Sequence, residues 1–243
     1  MKTYTTSQIA KIAGIHPNTV RFYQDMGLLQ NVHRKENGYR VFTDAHILQL
    51  RLIRLGFRAE ILSSNLRKKV IEVLKTAAAG EKTQALKMAK TYKKAVSAEK
   101  ERAKEAVSII KMQLKNPDED ANGGFIVGRK QAAEELGISI DVLRDWERNG
   151  LIVVPRDARN NRIYGKKERR RLKIIRTLRN AHYSMMSILR MLTALDAGTK
   201  DIAAVLNTPA KEEDIIHATD RYILALSETE EDADAMIKLI KTM

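Results

Sequence analysis

The chain contains no cysteine among its 243 residues. Disulfides, thiolate metal sites and thiol redox switches are therefore excluded. No apolar run approaches the length of a membrane span, and the first residues show no signal-peptide core, so neither a membrane anchor nor export is expected. Five histidines, His16, His33, His46, His182 and His217, are scattered without ligand spacing, which argues against a metal site. A Gly-rich phosphate loop, a nucleophile elbow and a paired-carboxylate arrangement are all missing, so no enzyme and no cofactor are expected. Positive charge is abundant instead. A net charge of +14 and a pI near 9.9 call for a polyanionic partner, with nucleic acid first and an anionic membrane surface second. The length allows one or two domains.

Residues 6–29, TSQIAKIAGIHPNTVRFYQDMGLL, carry the clearest local organisation. Thr6 is placed to cap a short helix with an apolar face of Ile9, Ile12 and Ala13. Gly14 permits a sharp turn, Ile15 is expected between the helices, Pro17 opens a second helix and Gly27 ends it. That second helix presents Asn18, Thr19, Arg21, Tyr23 and Gln24, all able to hydrogen-bond phosphate or base edges. Two short basic helices joined at a glycine form the geometry that seats a recognition helix in a major groove, although a surface helical hairpin has the same pattern. Downstream, Asn37-Gly38 marks a hairpin tip before Tyr39, Arg40, Val41 and Phe42, and a third helix is expected from Thr43. Helix, turn, helix, wing, helix is the order of a winged helix-turn-helix.

These residues, followed by NGYRVFTDAHILQLRLIRLGF, resemble the DNA-binding domain of the MerR family of transcription regulators. The resemblance implies that the second helix enters the major groove and that the wing grips the backbone, with Arg21, Tyr23, Tyr39 and Arg40 at the matching positions. It also implies double-stranded DNA as partner, RNA polymerase at a promoter as a further one, and a cytoplasmic, nucleoid-associated protein. Many such regulators sense metals or oxidants through cysteines, and this chain has none. The stretch 42–57 reads as about one helical turn, some 3.6 residues, shorter than the family usually shows.

The opening pattern recurs. Residues 125–152, FIVGRKQAAEELGISIDVLRDWERNGLI, match it at a constant offset of 123: Gly14 with Gly137, Arg21 with Arg144, Tyr23 with Trp146, Gly27 with Gly150. Residues 160–164 then repeat the wing with one residue fewer before it, so Arg162 answers Arg40. Agreement of turn glycine, helix arginine, terminal glycine and wing arginine is read as a second MerR-like domain. The copies differ where Asp145 replaces Phe22, a carboxylate that repels phosphate unless it pairs with Arg144 or Arg148 or accepts from a cytosine amino group. Trp146 is read as a packing residue. Eleven basic residues against two acidic ones over 156–179 call for an anion to neutralise them.

Between the copies, a short helix to about residue 79 and a long one over 81–114 are expected, the latter with Leu86, Ala89, Val96, Ala103, Ala106 or Val107, Ile110 and Leu114 at three-four spacing. Asn116-Pro117 stops it. After the second domain, Ser184 caps a helix to residue 195, residues 201–206 make another turn or two, and Pro209 opens a last helix carrying Ile216, Thr219, Ile223, Leu226, Ala233, Ile237 and Ile240. Residues 86–115 carry nine basic and three acidic side chains, whereas 211–241 carry four basic and nine acidic. Each helix repels its own copy and attracts the other, which selects the two as partners, and the resemblance to MerR regulators implies that they run antiparallel.

The expected fold is mainly α: two winged helix-turn-helix domains with small β-wings, plus long helices forming an antiparallel coiled coil. Its segments are 1–64, the first domain; 65–117, a helical connector; 118–124, a linker; 125–190, the second domain; and 191–243, a helical C-terminal region. The expected function is sequence-specific DNA binding as a transcription regulator. Arg21, Arg40, Arg144 and Arg162 grip phosphate or the grooves, His16, Asn18, Thr19 and Asp141 are the candidate base readers, and Tyr23, Tyr39, Ser139 and Arg148 complete the surface. An architectural or recombination accessory protein of excisionase type is the alternative. If the long helices pair within the chain, a monomeric pseudo-dimer presents two unlike recognition helices that reach successive major grooves at a spacing of roughly 34 Å. Pairing between chains gives a domain-swapped homodimer.

Overall fold

The computed structural model describes residues 2–30, 32–58, 64–115, 126–199, 202–207 and 222–243. They form two compact units, one built from Met1–Ala98 with Ala225–Met243 and the other from Glu99–Leu224. Among the described residues no helix is long and apolar enough to cross a membrane.

In the first unit, β1 (Thr3–Tyr4) leads into α1 (Thr6–Ala13) and α2 (Pro17–Asp25); β2 (His33–Arg34) and β3 (Arg40–Thr43) form the wing and α3 (Asp44–Phe57) follows. The strands make one antiparallel sheet in the order β1-β3-β2, with Tyr4 opposite Phe42 and Arg34 opposite Arg40. The β1 strand is an addition to the expected hairpin. Thr5, rather than Thr6, caps α1. Its hydroxyl accepts from the Gln8 backbone N–H at 3.3 Å while the Gln8 side-chain amide oxygen accepts from the Thr5 N–H at 2.8 Å, a reciprocal pair that satisfies two orphan donors. The buried face of α1 is Ile9, Ala10 and Ala13, and Ile12 is 49% exposed. Ile15 is half-buried. With Val20, Leu28, Phe42, Leu50 and Ile53, the buried α1 face closes the core of the winged domain.

Two further helices, α4 (Ser64–Ala78) and α5 (Lys82–Lys115), meet at Gly80, whose φ of +83° turns the chain where a side chain would be strained. On α5 the positions Ala85, Ala89, Tyr92, Val96, Glu99, Ala103, Ala106 and Ile110 are buried in a four-three alternation, with Val107 buried beside Ala106. The stripe starts at Ala85 instead of Leu86, because small residues let a facing helix come close.

The second unit repeats the plan with α6 (Arg129–Leu136), α7 (Ile140–Arg148) and α8 (Lys166–Asn180), then α9 (Met185–Asp196) and α10 (Ile202–Asn207). Its wing is reduced to two antiparallel bridges, Val127 with Tyr164 and Arg156 with Arg162, the counterparts of Tyr4 with Phe42 and Arg34 with Arg40. The third helices of the two copies are nearly equal in length: α3 has 14 residues and α8 has 15, so within this chain the first copy is not a turn shorter. Ser184 caps α9, its hydroxyl accepting from the Ser187 N–H at 3.0 Å.

The last described helix is α11 (Tyr222–Thr242), with Tyr222, Leu226, Thr229, Ala233, Met236 and Ile240 buried in the same four-three alternation. The seam falls one residue before the Ile223 and Ile237 read from the sequence. The expected linker at 118–124 and the helix start at Pro209 lie outside the described residues, as do Ile216 and Thr219. Within the first unit α11 runs antiparallel to α5. Lys93 Nζ donates to both Asp234 carboxylate oxygens at 2.8 and 2.6 Å, Lys82 Nζ donates to the Lys241 carbonyl at 2.7 Å, and Ser97 bonds Glu230. The basic and acidic helices thus pair inside one chain.

Candidate nucleic-acid interface

Each unit exposes a helix on a rigid turn. Gly14 and Gly137 end α1 and α6 in the left-handed conformation, with φ of +64° and +59°, and their N–H groups close the helix ends. A Cβ at Gly14 would lie 3.2 Å from the Arg54 guanidinium, and one at Gly137 would lie 3.3 Å from that of Arg176. Arg54 donates to the Ala13 carbonyl at 2.5 Å, so an arginine of the third helix braces the turn from beneath. The sequence reading missed this pair, although both arginines stand at equivalent places.

The exposed helices start alike. His16 caps α2, its Nδ1 accepting from the Asn18 N–H at 3.2 Å, and Ser139 caps α7 by accepting from the Val142 N–H at 3.2 Å. Both candidate residues therefore spend an acceptor on the helix end. Asn18, Arg21 and Phe22 are exposed on α2, and Asp141, Arg144, Asp145 and Arg148 on α7. Thr19 is half-buried, as is Tyr23, whose ring centroid is 6.1 Å from that of Phe57. Trp146, at the position of Tyr23, is buried.

Partners separate the two copies. Arg21 donates to the neutral Asn18 amide oxygen at 2.9 Å, whereas Arg144 pairs with the Asp141 carboxylate at 2.8 Å and Arg148 with Asp145 at 3.3 Å. In the first wing Tyr39 is 72% exposed beside the tip glycine Gly38, and Arg40 Nε donates to Gln24 at 2.6 Å. Gln24, whose amide could otherwise bond phosphate or base edges, therefore ties wing to helix. In the second wing Glu147 takes the place of Gln24 and binds Arg162, Arg129 at 3.0 Å and the Tyr164 hydroxyl. Burial favours the neutral Glu147 acid, but the bonds from Tyr164 and Arg129 and the neighbouring charges of Arg129 and Arg162 outweigh it and hold the carboxyl below its usual range. Burial and the bond to Glu147 push the Tyr164 hydroxyl up to about 12. The wing tip itself is set by Asp157, which accepts from the backbone N–H groups of Arg159 at 2.9 Å and Asn161 at 2.8 Å, and by Asn160 at φ +63°. Those bonds, the backbone one from Asn161 first, hold the Asp157 carboxyl below its usual range.

The basic run over 156–179 is largely used inside the second unit. Arg169 pairs with Glu135 at 3.0 Å, Arg171 with Asp196 at 2.9 Å, and Arg179 donates to the Tyr183 carbonyl at 2.7 Å. Arg156, Arg159 and Lys167 are exposed at the surface, Arg156 with its guanidinium on Asn160. Among the described residues no group of three or more His, Asp or Glu is arranged to hold a metal ion.

A family model described as "MerR HTH family regulatory protein" matches residues 4–57 and 129–195. The HTH-type transcriptional regulator CueR of Escherichia coli O157:H7 is 41% identical over 58 residues, covering 22% of this chain and 43% of that protein. ZntR of Escherichia coli K12 is 33% identical over 61 residues, covering 24% and 43%, and MerD of Shigella flexneri is 43% identical over 61 residues, covering 25% and 51%. The chain spans about half or less of the length of these curated relatives. A crystal structure of HiNmlR, described as a MerR family regulator lacking the sensor domain and bound to promoter DNA, matches 58% of this chain and 99% of that one at 26% identity and a TM-score of 0.33. The two regions matched by the family model coincide with the two helix-turn-helix units built from β1 to α3 and from α6 to α9, and the chain belongs to the MerR family, with its helix-turn-helix domain present in tandem.

Proposed function

We propose that the chain is a sequence-specific, double-stranded DNA-binding transcription regulator that acts at a promoter and uses both helix-turn-helix domains from one polypeptide. The observation that carries this reading is the pair of capped, glycine-turned helices, each with an arginine at the same exposed place, Arg21 on α2 and Arg144 on α7, in a chain of net charge +14. The names of the relatives agree with it, since each is called a transcriptional regulator. The intrachain pairing of α5 with α11 supports a monomeric pseudo-dimer, because the acidic helix that the basic one selects is already supplied by the same chain. The first positions of the exposed helices differ, His16, Asn18 and Thr19 against Ser139, Asp141 and Val142, so the operator is an imperfect palindrome of two unlike half-sites. Light scattering on the protein with footprinting on its operator tests this. A monomer covering two unlike half-sites is the expected result. A dimer on a true palindrome would overturn it.

A further inference from the structure

The first unit holds a cleft of about 790 Å³ between α3 and the C-terminal turns of α11, within the size range of small-molecule sites. Ile15, Leu55, Phe57, Ala235 and Leu239 make its apolar walls. Its charged lining is entirely cationic among the described residues: Arg51, Arg54, Arg58 and Lys238, with no carboxylate. Arg58 is already paired with Asp232 at 2.9 Å, and Arg54 spends one N–H on the Ala13 carbonyl. Arg51 and Lys238 are exposed and form no ion pair with a described residue.

We propose that this cleft is a binding site for an amphipathic organic monoanion, an aromatic ring carrying a carboxylate or sulfonate. The apolar walls take the ring, and Arg51, Arg54 and Lys238 take the anionic oxygens, where charge-assisted bonds are strongest. A neutral apolar ligand would strip water from three cations and return nothing. A bare phosphate would leave five apolar walls uncovered. Ile15 and Tyr23 line the same cleft from the turn and from α2, so an occupant touches the helix-turn-helix itself. The site does not depend on the DNA-binding reading.

The test uses the full chain and 8-anilinonaphthalene-1-sulfonate as fluorescent probe, with salicylate as competitor and no DNA present. Two variants are compared with wild type: Arg51→Gln with Lys238→Gln, which removes charge at exposed positions, and Ala235→Trp, which fills the cleft. The expected result is saturable binding to wild type, displacement by salicylate, and affinity at least about tenfold weaker in both variants with unchanged thermal unfolding. Absent saturation, or binding that neither variant weakens, overturns the proposal. The charge variant is also titrated with operator duplex. A salt slope reduced by about 1.8, the signature of two lost phosphate contacts, would assign Arg51 and Lys238 to DNA backbone and sink the small-anion site.

Discussion

Arg21 and Arg144 occupy equivalent places, yet one faces a neutral amide and the other a carboxylate 2.8 Å away. A cation already paired with an anion releases fewer counterions from DNA. Arg21→Ala should therefore weaken operator binding and lower the salt slope by about 0.9, the value for one phosphate, while Arg144→Ala does less. Binding measured from low to high salt decides it, and an equal or larger loss from Arg144→Ala would show that the Asp141 pair opens on DNA. Glu147 is a structural counterpart to this contrast. Its side chain is 9% exposed and holds two arginines, so Glu147→Gln should cost about 2 kcal/mol of stability at neutral pH. Its folded carboxyl titrates below the ordinary 4.5, so the stabilisation is complete above that value and is lost as pH falls through the lower folded one. Denaturant unfolding at a series of pH values should show wild type and variant converging in acid. A constant gap down to pH ~2, below the ordinary carboxylate range, would contradict the assignment. The arginines of the two exposed helices were legible in sequence because spacing marks them. The Gln24 and Glu147 ties were not, since they join residues distant in the chain.

Helices show the same division. The ends of α2, α3, α4, α5 and α9 follow from local signals: Pro17, Thr43, Gly80 and Ser184 act on their own neighbours within a turn. The seams were harder to place by one residue. Large aliphatics at 86, 223 and 237 drew the sequence reading, whereas packing chose Ala85, Tyr222 and Met236, because the contact line depends on what the facing helix can admit. The charge pattern still named the right partners. Lys93→Glu should destabilise the first unit by about 1 kcal/mol, since both partners are part-exposed and the pair is replaced by repulsion against Asp234. Adding Asp234→Lys should restore most of that loss in a double-mutant cycle. Two additive losses would mean that the bridge is absent in solution. On α8 the arginines are mainly internal braces, so the density of positive charge in the sequence overstated the surface open to a polyanion.

At the scale of the molecule, the two compact units are not the two halves of the chain. The first unit takes its last helix from the C-terminus, and α5 contributes to both units. Cutting the chain between the helix-turn-helix domains would therefore separate α11 from the unit it completes. The lack of cysteine also acts at this scale. DNA binding should be unchanged by peroxide, copper or zinc at concentrations that modify thiols, as followed by fluorescence anisotropy of a labelled operator. A large affinity change with any of them would reveal a site built from other ligands.

What the sequence determined alone was everything that rests on near neighbours or on sums over the chain. The tandem repeat, the helix-turn-helix order, the turn glycines, the charge-selected helix pair and the exclusion of thiol chemistry all belong there. Only the tertiary structure decided that Tyr23 packs on Phe57, that Arg162 is held by Glu147 while Arg40 rests on a neutral amide, and that a cationic cleft opens beside α11. The physical reason is range. Capping, turn strain and hydrophobic period act within a few residues, whereas the partner that neutralises a charge or buries a ring is whichever side chain the fold brings within a few ångströms.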